Sequence, residues 1–209
     1  MNPREILNGI SEMILAEDDI AETLPCEVRD TGWLGFPPCS EADIAKAEDR
    51  LGVSFPNSLR QFYLITNGWR NVSHSVYAIL PIEQIDFLPT VMPELAQVIE
   101  DAAPNGFFMK LILEFNSPVE MPAAETQAIM DETVTRPLRS IVLSTEGDAT
   151  TMLIDPESDV GNGEWNVGAW ASWHPGISWA DTDFWSYLSS NLDGKRFVAR
   201  RTRPCIAKE

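Results

Sequence analysis

SEADIAKAEDRLGVSFPNSLRQFYLITNGW, residues 40–69, decides the fold. Ser40 is a helix-capping residue with Asp43 three positions on, and Ile44, Ala47 and Leu51 then fall three and four apart on one face, so a helix starts at Ser40. Gly52 terminates it, because glycine enters the left-handed conformation without a Cβ penalty. Pro56 opens the next helix, with Leu59, Phe62, Tyr63 and Ile65 packing inward before Asn67-Gly68 stops it. Two short helices joined by a tight turn make a helical hairpin.

Upstream, Asn2, Pro3 and Glu5 form a helix-start signal, and Ile6, Ile10, Met13 and Ile14 predict an amphipathic helix to about Glu22. Its acidic residues Glu17, Asp18, Asp19 and Glu22 read as a solvated outer face. A loop rich in turn formers, Gly32 to Cys39, leads to the hairpin. Beyond Trp69 the pattern changes to short β-type runs: Ser75 to Leu80, Phe107 to Phe115, Arg139 to Ser144 and Thr150 to Asp155. Glu146-Gly147-Asp148 reads as the turn between the last two. Helices are expected over Glu94–Ala103 and Ala123–Asp131, in a proline-punctuated stretch. Trp165, Val167 and Trp170 lead to a turn at Trp173-His174-Pro175-Gly176. Thr182 then caps a last helix in which Phe184, Tyr187 and Leu188 share a face. Helices first, a largely antiparallel sheet next and a C-terminal helix last is the order of an α+β fold.

The 209 residues carry a net charge of −17. Residues 1–194 hold 9 basic and 31 acidic side chains, a net −22, whereas residues 195–209 hold six basic groups (Lys195, Arg196, Arg200, Arg201, Arg203, Lys208) and Glu209 alone as an acid. An acidic body repels phosphate backbones and anionic lipid, so neither direct nucleic-acid binding nor membrane association is expected. No run approaches the roughly 18 apolar residues of a membrane span, and Cys26, Cys39 and Cys205 form no Cys-x-x-Cys pair. A cytoplasmic protein is expected.

The search for chemistry is mostly negative. His74 and His174 are the only histidines, and neither has a companion His or Cys at ligand spacing. There is no Gly-x-Ser-x-Gly elbow and no phosphate-binding Gly-x-x-x-x-Gly-Lys. Asp155, Glu157 and Asp159 sit at positions one, three and five of a loop, as calcium would need. Val160 occupies the place of the required glycine, though, and Asn166 that of the closing glutamate, which leaves an exposed acidic loop. The pair Asp131/Glu132 is adjacent on a helix and points apart. No catalytic residue, cofactor or metal is expected. Of seven tryptophans, most belong to the core, but Trp33 and Trp179 stand in loop-like contexts. Exposed aromatics beside acids suit a surface that receives a basic partner. The expected partner-binding residues are therefore Trp33, Asp148, Asp155, Glu157, Asp159, Glu164 and Trp179.

Ile44, Glu48, Leu51 and Gly52, then Pro56, Leu59, Phe62 and Tyr63, then Asn67-Gly68 resemble the signature of the SUKH superfamily, the Smi/Knr-like domains. Ile79-Leu80-Pro81-Ile82 resembles that family's first strands, Leu153-Ile154-Asp155 its strand ending in Asp-Pro, and Phe184 to Leu188 its terminal helix. The resemblance implies one domain over residues 1–194, with an extra N-terminal helix, an insertion at about 89–137 and a basic tail at 195–209. It also implies a non-enzymatic protein. Bacterial members are typically immunity proteins that bind and neutralise toxin domains, often nucleases; the fungal relatives are regulatory or scaffold modules. A nuclease must be basic to hold its substrate, so an acidic inhibitor would be steered to it.

Overall fold

A computed structural model of the protein describes residues 2–73, 76–102, 123–144, 147, 150–172, 174–190 and 192. Both hairpin helices form where their signals place them. Ser40 Oγ accepts the Asp43 backbone N–H at 3.2 Å and the Asp43 carboxylate accepts the Ser40 N–H at 3.0 Å. This capping box starts helix α4, Glu41–Leu51, which ends on Gly52 at φ +68°. Helix α5, Asn57–Ile65, begins after Pro56, which has no side-chain oxygen to cap with. The acceptor is supplied from 106 residues downstream: the Ser58 backbone N–H donates to the Glu164 carboxylate at 3.1 Å, and the Ser58 hydroxyl bonds to its other oxygen.

Helix α1, Pro3–Leu15, carries the expected Asn2/Glu5 capping box and buries Ile6, Leu7, Ile10 and Ile14. It stops seven residues before the expected Glu22, and a one-turn helix α2, Asp18–Ala21, follows. The electrostatics of helix ends explain the break. Carboxylates are unfavourable at a helix C-terminus and favourable in a first turn, so Glu17-Asp18-Asp19 ends one helix and begins another. Helix α3, Cys26–Thr31, lies between Pro25 and a left-handed Gly32, in a stretch for which the sequence reading assigned no element.

Strands β1 (Trp69–Arg70) and β2 (Ala78–Ile79) pair antiparallel. The main sheet is a five-stranded antiparallel meander: β3 (Asp86–Phe87), β4 (Ile141–Val142), β5 (Thr150–Asp155), β6 (Asn166–Ala171) and β7 (His174–Trp179). Strand β5 keeps its expected bounds; the expected strand Arg139–Ser144 shrinks to two residues, and of the expected Ser75–Leu80 the described part, from Val76 on, pairs at Ala78–Ile79 alone. The expected turn at His174-Pro175-Gly176 is the beginning of β7 instead. Proline is compatible with that position because β7 is the edge strand of the sheet among the described residues, laddered to β6 on one side. The run Phe107–Phe115 and residues Glu146 and Asp148 of the expected turn lie outside the described residues.

Side chains alternate across the sheet with a period of two. Ile141, Leu143, Met152, Ile154 and Val167 face α1, α4, α5 and the C-terminal helix α10, residues 184–190, in the main core. Val142 and Leu153 face the other way, where Leu88, Leu95 and Ile99 cover them with Val134 and Leu138 at the margin. Leu95 and Ile99 belong to α7, Pro93–Ala102, which follows the single turn α6, Leu88–Val91. Val134 and Leu138 belong to a π-helical turn, Asp131–Thr135, and a short α9, Arg136–Leu138, that follow α8, Ala123–Met130. Much of the cover over this second sheet face thus comes from the segment 89–137. Helix α10 is capped by Asp183, not Thr182: the Asp183 carboxylate accepts the backbone N–H groups of Trp185 at 2.9 Å and Ser186 at 3.0 Å. The Thr182 carbonyl is engaged by the Val167 N–H, which keeps Thr182 with the sheet.

Glu164→Ala should remove the cap of α5 and lower stability by about 1 kcal/mol, or a melting temperature by about 2–4 °C, while Glu164→Gln retains most of it; thermal unfolding distinguishes them. Burial opposes ionisation of Asp183, but hydrogen bonds from Ser186 and Trp185 outweigh it and hold the carboxyl below the usual carboxylate range. A depressed folded-state value contributes stability above about pH 4 that is lost as pH falls through that value. Urea midpoints of the wild type and Asp183→Ala should therefore differ at neutral pH and converge toward pH 2.

Candidate protein-interaction surface

The acidic loop begins where β5 ends. Asp155, the last residue of that strand, is 1% exposed, not an exposed loop acid as the sequence suggested. Its carboxylate accepts from Arg136 Nε at 2.6 Å and from the Glu157 backbone N–H at 3.0 Å. Arg136 in turn donates to Glu132 at 2.7 Å and lies flat over the Trp179 ring, 3.8 Å from its centroid. Asp155 and Trp179 are thus brought together through one arginine, consistent with the rule that a buried charge is kept only when paired. Trp179 is half-buried, its Nε1 buried without an acceptor. It presses on Gly168 of the adjacent strand, where a Cβ would lie 2.6 Å from the indole ring.

The other acids of the loop are turned to separate tasks. Glu157 is exposed and pairs with Arg139 at 2.8 Å. Asp159, also exposed, accepts the N–H groups of Gly161 at 2.7 Å and Gly163 at 3.2 Å, holding a left-handed turn through Asn162. Glu164 points back to Ser58 as the cap of α5. The three loop acids do not converge, and among the described residues no group of three or more His, Cys, Asp or Glu could hold a metal ion. Trp33 is remote from this cluster in its contacts: half-buried, it meets Trp69 edge-on at 4.9 Å and Arg4 at 5.7 Å. Asp148 and His74 lie outside the described residues, and His174 is the first residue of β7.

Two further features are not read from spacing. Between α4 and residues 82–83 runs a cleft of about 580 Å³ lined by Cys39, Asp43, Lys46, Arg50, Asn67 and Glu83 among others. Its polar groups hold the fold: Arg50 donates to the carbonyls of Ile82 and Ile85 and to Asp86. Asn67 bonds Glu83 and accepts the Ile82 N–H at 2.7 Å. The Cys39 thiol is pushed up to about 11, by burial first and then by Asp43 and Glu83, so it is a poor nucleophile at neutral pH. The second feature is an acidic edge in which Asp18, Asp19, Glu22, Glu27 and Asp30 of α2, α3 and their flanks are all exposed. Its first part is the acidic run Glu17, Asp18, Asp19 and Glu22 that reads from sequence as a solvated face; Glu27 and Asp30 join it because α3 follows directly. No helix among the described residues is long and apolar enough to cross a membrane.

These elements coincide with a known family. Comparison with curated proteins gives no match. The family model of the SMI1 / KNR4 family (SUKH-1) matches residues 38–194. The match starts just before α4 and takes in both hairpin helices, all seven strands and α10; α1 to α3 precede it. The family is one of protein-interaction modules, and its members are generally not enzymes. Matched over most of its length, the chain belongs to the SMI1 / KNR4 (SUKH-1) family.

Proposed function

We propose that the protein is a non-enzymatic, cytoplasmic immunity-type module that binds a basic toxin domain, in the first instance a nuclease, and neutralises it by covering its substrate path. Membership of a family of protein-interaction modules, combined with the net −22 of residues 1–194, carries this reading. A surface that holds a polyanion must be positively charged. An acidic partner is therefore complementary to it and is steered to it, raising the association rate more than the final affinity.

The internal ion pairs refine where such a surface would lie. Asp155 and Glu164 are occupied in holding the sheet end and α5, so they serve a partner only by fixing the loop between them. Glu157 and Asp159 remain exposed on that loop, with Trp179 half-buried near its base and Trp33 on the opposite side of the motif hairpin's sequence. The α2–α3 edge adds five exposed acids.

Affinity capture from the native organism under toxin-expressing conditions, followed by titration at low and high salt, tests the proposal. A basic toxin domain held with nanomolar, salt-sensitive affinity is expected. Capture of no basic partner, or affinity indifferent to salt, overturns the electrostatic mechanism, and recovery of many unrelated partners would favour a scaffold role. The triple reversal Asp18→Lys, Asp19→Lys, Glu22→Lys should slow association with the captured toxin about tenfold at low salt with little change in dissociation. Stability of that variant should fall by about 1 kcal/mol, because Asp18 and Asp19, though exposed, favour the first turn of α2.

A further inference from the structure

A second cleft, about 350 Å³ in volume, lies between the loop at Phe36, the β1–β2 hairpin and residues 80–84. Its chemistry is opposite to that of the rest of the molecule. Arg70 stretches across it with the guanidinium 3.6 Å from the Phe36 ring centroid, donating to the carbonyls of Leu34 at 3.1 Å and Gly35 at 2.9 Å. Lys46, Arg50, Arg60, Arg136 and Arg139 each pair with a carboxylate. Among the described residues none lies within ion-pair distance of Arg70. Its charge is thus half-desolvated and locked in place by neutral oxygens and a ring face. Burial accordingly lowers its pKa, against a small opposing effect of Glu27. Beside it, Tyr77 is 44% exposed. Trp69, fully buried in the cleft wall, has an Nε1 donor with no acceptor among the described residues.

An arginine without a carboxylate partner, pre-organised against an aromatic ring, is the arrangement in which an incoming carboxylate gains most, since the side-chain ordering has already been met within the fold. The cleft volume falls at the lower end of the range for ligand pockets and accommodates one side chain and its neighbour rather than a domain surface. We propose that this cleft is an anchor site that takes an apolar side chain flanked by a carboxylate, presented on an extended segment of the protein partner. Tyr77, with Leu80 and Pro81 of the cleft lining, receives the apolar group and Arg70 the carboxylate. The proposal rests on the reading of the protein as a protein-binding module. It adds a contact of opposite sign to the acidic surface, which would set partner choice where general charge attraction cannot.

The test is an NMR titration of the full-length ¹⁵N-labelled chain with the acetylated, amidated tetrapeptide SFDS, its neutral counterpart SFNS, and free N-acetylphenylalanine. The expected result is saturable binding of SFDS with Kd below about 1 mM, shifts centred on the amides of residues 69–71 and 77–79 and on the Trp69 indole N–H, and about tenfold weaker binding of SFNS. Arg70→Gln should weaken SFDS by a similar factor. Should that variant fail to fold, Tyr77→Ala, at an exposed position, is expected to reduce binding severalfold. No saturable shift, equal responses to SFDS and SFNS, or shifts away from the cleft would overturn the proposal. N-acetylphenylalanine binding as tightly as SFDS would also overturn it, assigning the cleft to a small acid. A captured basic toxin with no SFDS response sinks the anchor alone, whereas an SFDS response with no basic partner captured sinks the inhibitor reading alone.

Discussion

Every residue of β5 is buried, and this constraint governs the rest of the structure. A strand with no wet face needs apolar cover on both sides, and one helical hairpin covers only one. The motif helices α4 and α5, with α1 and α10, seal Met152 and Ile154. The opposite face, with Leu153 and Val142, is closed by α7 and by the turns around Val134 and Leu138. The segment 89–137 is therefore part of the core in its described parts: Leu95 and Ile99 supply much of the cover that keeps Val142 and Leu153 from water. Burial of several side chains of this size is worth about 1.5–3 kcal/mol each, which is a large share of the stability of a domain.

The same constraint accounts for the one deeply buried carboxylate of the sheet. Asp155 closes β5 at the point where the strand leaves the layers, so its charge is desolvated by both. Arg136 meets it from the second layer and spends its planar face on Trp179. Removing either partner would leave the other charge buried and unpaired, typically 3–5 kcal/mol of destabilisation. That contact fastens the end of the 131–138 turns to β5 and β7 together, which apolar contacts alone would not orient.

Helices α1, α4 and α5 were legible because each combines a start signal with a periodic apolar face: Asn2 and Glu5, Ser40 and Asp43, Pro56. The second break, at Glu17, depends on dipole electrostatics over three adjacent acids rather than on periodicity, and α3 on the bracketing of Pro25 and Gly32. A two-residue strand such as β3 carries no alternation to detect; its existence is fixed by its pairing with β4, more than fifty residues away. Thr182 and Asp183 are both good caps, and only the bond from Val167 to the Thr182 carbonyl decides between them. For the candidate surface, composition showed the acidic loop but not its burial, since Asp155 finds its arginine 19 residues upstream and Glu164 its amide 106 residues upstream. The Arg70 cleft was invisible for the same reason: Phe36, Arg70 and Tyr77 meet only after β1 and β2 pair.

Charge in this protein is therefore of two kinds. Most described basic side chains are spent inside the fold, on carboxylates such as Glu41, Glu48, Glu132 and Glu157 or on backbone carbonyls. Each such pair cancels at a distance, within a Debye length of about 8 Å at physiological salt. What projects beyond that distance is the unpaired remainder, and since acids outnumber bases 31 to 9 over residues 1–194, the remainder is negative. A field of that kind accelerates encounter with any cationic body and so discriminates poorly between them. Discrimination must come from short-range features that the field does not supply: half-buried rings such as Trp33 and Trp179, and Arg70, a half-buried arginine with no carboxylate within ion-pair distance among the described residues.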